Sequence, residues 1–261
     1  MTLYAETAGT GPVIVLIHAG ICDSRMWDPQ WDALTREHRV LRLDLRGFGG
    51  SPLEPGELCH GADVLAALDR AGIGRAALVG ASMGGEVALQ VALAAPDRVT
   101  ALALLCPALG IESWSAEVRE AWATEETALE AGDLDAAVAV NLRFWVDGPN
   151  RAAGSAPADV RALVAQMQRR AFELQLPVDG QVDQRELVSD VATRLAELEL
   201  PALILDGEHD NADFRAIAHR LATELPGARA ATIGGAAHVP SLEQPEAVEA
   251  VLLPFLLEHA A

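Results

Sequence analysis

The stretch at residues 76–85, Ala-Ala-Leu-Val-Gly-Ala-Ser-Met-Gly-Gly, restricts the possible folds of this chain more than any other segment. The small or apolar residues at 76–79 predict a short buried strand. Good helix formers fill residues 86–95, and Pro96 predicts that this helix ends just before it. The glycines on either side of Ser82 have no Cβ, so two backbones can pass very close at the turn. The stretch therefore predicts a strand, a strained turn that exposes the Ser82 hydroxyl, and a helix.

The rest of the chain alternates strand-like and helix-like runs around this stretch. Further strands are predicted at residues 3–7, 13–17, 40–45, 100–105, 202–205 and 229–233. Further helices are predicted at residues 24–37, 57–71, 212–225 and 245–259. Unbroken apolar runs of this kind are typical of strands that are buried on both faces. The alternation predicts an α/β fold with a mostly parallel, doubly wound sheet.

The alternation stops over residues 109–200, where we find no convincing strand. Helices are predicted there at residues 115–131, 134–146, 157–176 and 185–198. Ligand sites of open α/β sheets lie at the carboxyl ends of the strands, where an inserted segment can act as a lid. We therefore predict a first core part at residues 1–108, a helical cap inserted at 109–200 and a second core part at 201–261.

The formal charge of −19 argues against two classes of partner, because a strongly acidic surface repels both nucleic acid and anionic membranes. Residues 1–11 lack the basic and apolar regions of a signal peptide, and the apolar run at 13–17 is too short to span a membrane. Cys22, Cys59 and Cys106 have no metal-ligand spacing and are interpreted as free thiols. These features favour a soluble, cytoplasmic protein.

Ser82 needs a neighbouring base and an orienting carboxylate to act as a nucleophile at neutral pH. For a serine on a strand–turn–helix, the order along the chain is Ser, then Asp or Glu, then His. His238 follows the strand at 229–233 in a loop of small residues, and we predict it as the base. Asp210 follows the strand at 202–205 and is predicted as the acid, with Asp206 left open as the alternative.

Two backbone N–H groups near Ser82 are needed to hold a developing oxyanion. We predict the amide of Met83, next to Ser82, and the amide of Gly20, in the loop after the strand at 13–17. His18 is interpreted as a brace of that loop. The remaining histidines outside the acid loop are interpreted as solvent-facing: His38, His60, His219 and His259.

Several motifs, in this order and spaced normally, resemble the α/β-hydrolase superfamily. They are Leu16-Ile17-His18-Ala19-Gly20, Asp44-Leu45-Arg46-Gly47-Phe48-Gly49-Gly50-Ser51, Gly80-Ala81-Ser82-Met83-Gly84-Gly85, Gly207-Glu208-His209-Asp210 and Ala237-His238-Val239-Pro240-Ser241-Leu242-Glu243-Gln244-Pro245. The first departs from the family pattern by having Ala19 where Gly is usual. The resemblance implies Ser82, Asp210 and His238 as a catalytic triad. More weakly, Arg25-Met26-Trp27-Asp28-Pro29-Gln30 resembles 3-oxoadipate enol-lactonases and their relatives.

We expect a serine hydrolase that cleaves an ester, lactone or thioester of a small, neutral or apolar acyl substrate, with no metal and no cofactor. C–C bond hydrolysis, and acyl transfer or cyclisation, stay open on the same triad. A non-catalytic ligand-binding protein on this fold is the alternative from another class. The pocket is expected between Ser82 and the cap, lined by Trp27, Trp114, Trp122, Phe144, Trp145 and Met167.

Overall fold

The computed structural model describes residues 2–110 and 113–261 and contains two sheets. The strands are β1 (Ala5–Ala8), β2 (Val13–Ile17), β3 (Arg39–Leu43), β4 (Gly56–Leu58), β5 (Ala76–Ala81), β6 (Val99–Leu105), β7 (Val182–Gln184), β8 (Ala202–Gly207) and β9 (Arg229–Ile233). The main sheet has seven strands in the order β1-β3-β2-β5-β6-β8-β9. Strand β1 is antiparallel to β3, and the other neighbouring pairs are parallel. The predicted mostly parallel sheet is confirmed.

Helices cover both faces of this sheet. They are α1 (Asp28–Thr35), α2 (His60–Arg70), α3 (Met83–Ala94), α4 (Ala116–Glu130), α5 (Leu134–Asn141), α6 (Ala158–Gln175), α7 (Ala212–Glu224), α8 (Pro240–Glu243) and α9 (Pro245–His259). Successive side chains of a strand point to opposite faces. In β2, Ile14 packs in one core cluster, with side chains of α1 and α9, while Val15 packs in another with side chains of α2 and α3. Both faces are therefore buried, as the apolar run of β2 predicts.

The segment between β6 and β8 contains α4, α5 and α6, and it differs from the sequence prediction in two places. A short strand, β7, pairs in parallel with β4, although no strand was expected in this segment. The helix predicted at 185–198 is wrong, because only two short 3₁₀ turns form there. The backbone N–H of Leu187 donates to the side chain of Gln90, and Asp190 has a φ of +59°. The left-handed backbone at Asp190 is incompatible with a continuous right-handed helix.

The division into core and cap at residues 108/109 and 200/201 stays a prediction. Residues 1, 111 and 112 fall within the predicted ranges but lie outside the described residues. In the parts of the chain that are described, no helix combines the length and the apolar character needed to cross a membrane.

Two of the histidines that were interpreted as solvent-facing are buried, namely His38 and His60. The ring of His60 lies beside Phe48, which in turn packs against His18. Burial, with smaller contributions from the nearby His18 and Arg46, lowers the pKa of His60 from 6.5 to about 4. The sequence interpretation of His60 was wrong because the first residue of α2 faces the loop at 44–51, where its ring lies beside Phe48.

This burial predicts that acid destabilises the fold. Between pH 6.5 and about 4 the unfolded chain binds a proton at His60 that the folded chain excludes. The stabilisation is therefore complete above about pH 6.5 and is lost as the pH falls towards 4, by up to about 3 kcal/mol. Urea unfolding between pH 4 and pH 8 measures this slope. The slope should flatten in His60→Leu, and an unchanged slope would contradict the assignment.

Candidate active site

Ser82 lies at the turn between β5 and α3 in a strained backbone conformation, with φ +50° and ψ −117°. The turn is tight because two glycines allow backbone contacts that a side chain would block. A Cβ on Gly80 would lie 2.3 Å from the carbonyl oxygen of Gly84. A Cβ on Gly84 would lie 2.4 Å from the carbonyl oxygen of Ile17, at the end of β2. The Gly-x-Ser-x-Gly spacing thus places the Ser82 side chain above the carboxyl edge of the sheet.

The structure brings the three predicted residues together, although they lie far apart in the sequence. Nε2 of His238 is 2.8 Å from Oγ of Ser82, and Nδ1 is 2.8 Å from Oδ2 of Asp210. A carboxylate can only accept a hydrogen bond, so Nδ1 carries the proton and Nε2 accepts the Ser82 hydroxyl. All three side chains are buried. This arrangement can remove a proton from Ser82 and stabilise the resulting imidazolium.

The structure also distinguishes the two candidate acids. Oδ1 of Asp210 accepts hydrogen bonds from the backbone and side-chain amides of Asn211, which leaves Oδ2 for His238. Asp206 instead accepts a hydrogen bond from the Thr232 hydroxyl and another from Arg215. Asp210 is therefore the carboxylate that contacts the His238 ring. Asp206, at the end of β8, is instead hydrogen-bonded to the neighbouring strand β9 through Thr232.

The predicted oxyanion donors border the same cavity as Ser82. Gly20 and Met83 both line it, and among the described residues neither amide N–H has a backbone acceptor. The loop that carries Gly20 is held by His18, whose Nδ1 is 2.8 Å from the Ala19 carbonyl. Nε2 of His18 accepts the backbone N–H of Leu45 at 2.9 Å. Burial lowers the pKa of His18, and the neutral ring that this favours suits one donor and one acceptor nitrogen.

A thiol lies behind the catalytic candidates. Cys106 at the end of β6 has a φ of +43°, and its Sγ lies within 4.8 Å of the polar atoms of Asp210 and His238. Burial, and next the charge of Asp210, raise the pKa of this thiol well above its ordinary value. A metal would need the thiolate and would compete with the hydrogen bonds of His238. These three residues therefore fit a hydrogen-bonded cluster better than a metal site.

A cavity of about 350 Å³ opens over Ser82 between the sheet edge and helices α4, α5 and α6. Three of the predicted lining residues border it: Trp114, Trp122 and Trp145. The other three do not, and their assignment is corrected as follows. Trp27 is fully buried in the core; Met167 is fully buried, with its sulfur accepting the Asp23 N–H; and Phe144 packs edge-on against Trp145. A hydrophobic residue cannot be assigned to a core or a cavity without knowing the direction of its side chain.

Several lining residues were missed by the sequence reasoning. They are mostly polar or charged: Glu86, Glu125, Asn141, Gln168, Phe172, Gln175 and Phe214. One signal was available, because Trp122 and Glu125 are three residues apart on α4 and so share a face of that helix. The other positions depend on how α4, α5 and α6 pack over the sheet, which no local pattern reveals.

The segment between α5 and α6 also holds the loop that carries His238. The His238 N–H donates to the Trp145 carbonyl at 3.1 Å. Arg151 donates to the Gly235 carbonyl and to the buried carboxylate of Glu243. Glu243 in turn accepts the backbone N–H of Ala237 at 2.8 Å, directly before His238. The position of the His238 ring therefore depends on a buried ion pair between the cap and the core.

We expect that breaking this ion pair destabilises the protein. Arg151→Met leaves the Glu243 carboxylate buried without its partner, which typically costs about 3–5 kcal/mol. Arg169→Met is the matched control, because Arg169 pairs with an exposed aspartate, and such pairs contribute about 0–1 kcal/mol. The free energy of unfolding in urea measures both. Equal losses in the two variants would contradict the structural role of the Arg151–Glu243 pair.

Comparisons with known proteins agree with this geometry. A family model described as the alpha/beta hydrolase fold matches residues 12–245. The chain is 28% identical over 258 residues to a pimeloyl-(acyl-carrier protein) methyl ester esterase of Nitrosomonas europaea, covering 94% of this chain and 96% of that protein. It is also 28% identical to carboxylesterase YbfK of Bacillus subtilis, and this match covers 97% of this chain and 83% of that protein. The solved enol-lactonase of Burkholderia xenovorans superposes with a TM-score of 0.78 at 26% identity. The superposition covers 98% of this chain and 96% of the enol-lactonase.

Proposed function

This chain belongs to the α/β-hydrolase fold family, and we propose from that premise that it is a serine hydrolase of carboxylic esters. Its substrates are esters, lactones or thioesters of a small acyl group, cleaved through an acyl-enzyme on Ser82. The observation that carries the proposal is the continuous hydrogen-bonded series from Asp210 through His238 to Ser82, with 2.8 Å at each step. Relatives that bear the names of esterases and of an enol-lactonase support the choice of acyl chemistry.

In the proposed reaction, Nε2 of His238 takes the proton of the Ser82 hydroxyl as Oγ attacks the substrate carbonyl. The tetrahedral intermediate collapses when His238 returns that proton to the leaving alcohol or thiol. Water then attacks the acyl-enzyme with His238 again as the base, which releases the acid and restores Ser82. Asp210 accepts the hydrogen bond from Nδ1 and so holds the ring in the tautomer that leaves Nε2 free to accept.

The negative charge of the tetrahedral intermediate is proposed to be held by two backbone N–H groups. The Met83 amide is the first of α3, so it also contributes the positive end of the helix dipole. The Gly20 amide approaches from the loop after β2, which His18 braces. Both residues border the cavity beside Ser82, which supports a role as preorganised donors that need little reorganisation when the oxyanion forms.

The aromatic side chains nearest the catalytic candidates favour an apolar group beside the scissile carbonyl. The ring centroids of Trp145 and Phe214 lie 4.7 and 4.6 Å from the ring centroid of His238. Such rings keep bulk water away from the oxyanion and so strengthen the electrostatic interactions there, while the hydrolytic water enters through the cavity. The cavity of about 350 Å³ suits a small substrate.

Hydrolysis of p-nitrophenyl butyrate, compared with Ser82→Ala, tests the proposed function. We expect the variant to lose at least about 10⁴-fold in kcat, because it lacks the nucleophile. A fluorophosphonate should label Ser82 stoichiometrically in the wild-type protein and leave Ser82→Ala unlabelled. Turnover that persists in the variant would contradict the serine mechanism. Failure of the wild-type protein both to turn over and to be labelled would favour a ligand-binding protein instead.

The two aspartates provide a second test of the same mechanism. Asp210→Asn should lower kcat by about 10³–10⁴-fold, because an amide at this position no longer selects the tautomer that accepts the Ser82 proton. Asp206→Asn is the control, since its partners are Thr232 and Arg215, and we expect turnover within a few-fold of wild type. The reverse order of effects in the kcat values would assign the acid to Asp206.

A further inference from the structure

The cavity over Ser82 contains two carboxyl groups that lack a positive partner. Glu86 on α3 and Glu125 on α4 both line it and are partly buried. Within residues 2–110 and 113–261, neither forms an ion pair, and no Arg lines the cavity. The chain has no Lys at all. Two partly buried carboxyl groups without a positive partner give this cavity a local negative charge.

A buried amide in the same cavity has an unfilled hydrogen-bonding position. Gln168 on α6 lines the cavity and is only 5% exposed. Its Oε1 has no hydrogen-bond partner among the described residues. A buried carbonyl without a donor costs free energy. Because Oε1 has almost no accessible surface in this rotamer, the Gln168 amide must turn towards the cavity before a ligand N–H can donate to it. Gln168 therefore points, independently of the carboxyl groups, to a ligand that donates hydrogen bonds.

An aromatic wall connects the catalytic candidates with these acceptors. The ring centroid of Phe214 lies 4.6 Å from that of His238. Trp114 stacks on Phe214 with 5.4 Å between centroids, and Trp122 packs edge-on against Trp114 with 5.2 Å between centroids. Glu125 is on the same face of α4 as Trp122. Aromatic faces attract cations as well as alkyl chains. The wall thus leads from the site of acyl transfer to a region that is both aromatic and acidic.

The acidic character continues outward from the cavity. A groove of about 430 Å³ shares Glu125, Phe172 and Gln175 with it, and is further bordered by acidic residues: Glu126, Glu130 and Asp179. With a formal net charge of −19, the whole protein attracts cations over long distances. A positively charged substrate would therefore be drawn towards the groove that adjoins the cavity.

The chemical state of the two carboxyl groups fits this interpretation. Burial raises the pKa of Glu86, and the charge of Glu186 adds to the effect. Burial also raises the pKa of Glu125, although the amide of Asn141 donates to it and acts in the opposite direction. Burial thus makes the charged form of both groups less stable than it is in water. A bound cation would relieve this destabilisation.

We propose that the cavity selects acyl substrates that carry an ammonium group at the end remote from the scissile carbonyl, held by Glu125, Glu86 and Gln168. The alkyl part of such a substrate lies along the aromatic wall, and its N–H groups meet the carboxylates and the free Oε1. This proposal rests on the proposed function and refines its substrate class. It also revises the expectation of a neutral or apolar substrate that the sequence alone suggested.

Three p-nitrophenyl esters with the same alkyl spacer test the selection: those of 6-aminohexanoate, heptanoate and heptanedioate. They end in an ammonium, a methyl and a carboxylate group. We expect kcat/KM for the ammonium ester to exceed that of the methyl ester by at least about tenfold, and the carboxylate ester to be the poorest. An ammonium ester that is equal to or poorer than the methyl ester would overturn the proposal.

Single substitutions identify the groups responsible. Glu125→Gln and Glu86→Gln keep the size of each side chain and remove its charge, so each should lower the ammonium-to-methyl ratio by about fivefold or more. Glu120→Gln is the matched control, because it removes the same charge from α4 at an exposed position that does not line the cavity. A ratio that changes equally in all three variants would assign the preference to net charge and overturn the site.

Binding separates the failure of this proposal from the failure of the proposed function. Hexylammonium and hexanol are titrated into the Ser82→Ala variant by calorimetry, which requires no turnover. Tighter binding of hexylammonium, lost in Ser82→Ala/Glu125→Gln, supports the site even if no ester is hydrolysed. Hydrolysis of the methyl ester together with equal or weaker binding of hexylammonium overturns the site and leaves the serine hydrolase intact.

Discussion

The close approach of the Ser82 turn to the end of β2 is the contact on which the site depends. The Cα of Gly84 lies so near the Ile17 carbonyl that no Cβ fits between them. This contact places the first turn of α3 directly against the loop that begins at His18. It therefore brings the nucleophile candidate and both proposed oxyanion donors to one edge of the sheet. The strain at Ser82 is sustained because parallel strands on both sides of β5 hold its ends.

The other half of the site depends on the helices inserted between β6 and β8. His238 lies in a loop with little regular structure, and its position is determined by contacts from two directions. Asp210 holds the ring from the core, while Trp145 and Arg151 hold the backbone from the cap. The inserted segment is consequently more than a cover for the cavity. It supplies part of the framework that keeps the imidazole within hydrogen-bonding distance of Ser82.

The character of the cavity wall changes with distance from His238. Beside His238 the walls are aromatic, which suits a reaction that needs water excluded around the oxyanion. Farther out, Glu125, Glu126 and Glu130 of α4, together with Asp179, make the walls acidic. One helix, α4, supplies both characters, because Trp122 and Glu125 lie on the same face. The proposed specificity therefore depends mainly on residues of the inserted segment, while the candidate catalytic residues lie on the loops of the sheet.

Local patterns were sufficient for the core of the fold and for choosing the candidate catalytic residues. Strand runs, the glycines around Ser82 and the order of Asp210 and His238 all follow from short-range constraints on a strand or a turn. Local patterns failed where a residue's environment depends on distant segments. The predicted helix at 185–198 is replaced by turns bonded to α3, and His60 folds inward.

By itself, the sequence determined the parallel α/β sheet and the candidates Ser82, Asp210 and His238, because strand periodicity and turn geometry act over a few residues. Only the tertiary structure decided that Asp210 and not Asp206 meets His238, since that depends on which loop crosses the end of β9. It alone also decided that Trp27 and Met167 are core residues. The direction of a side chain on a helix is resolved only when the neighbouring helices are packed against it.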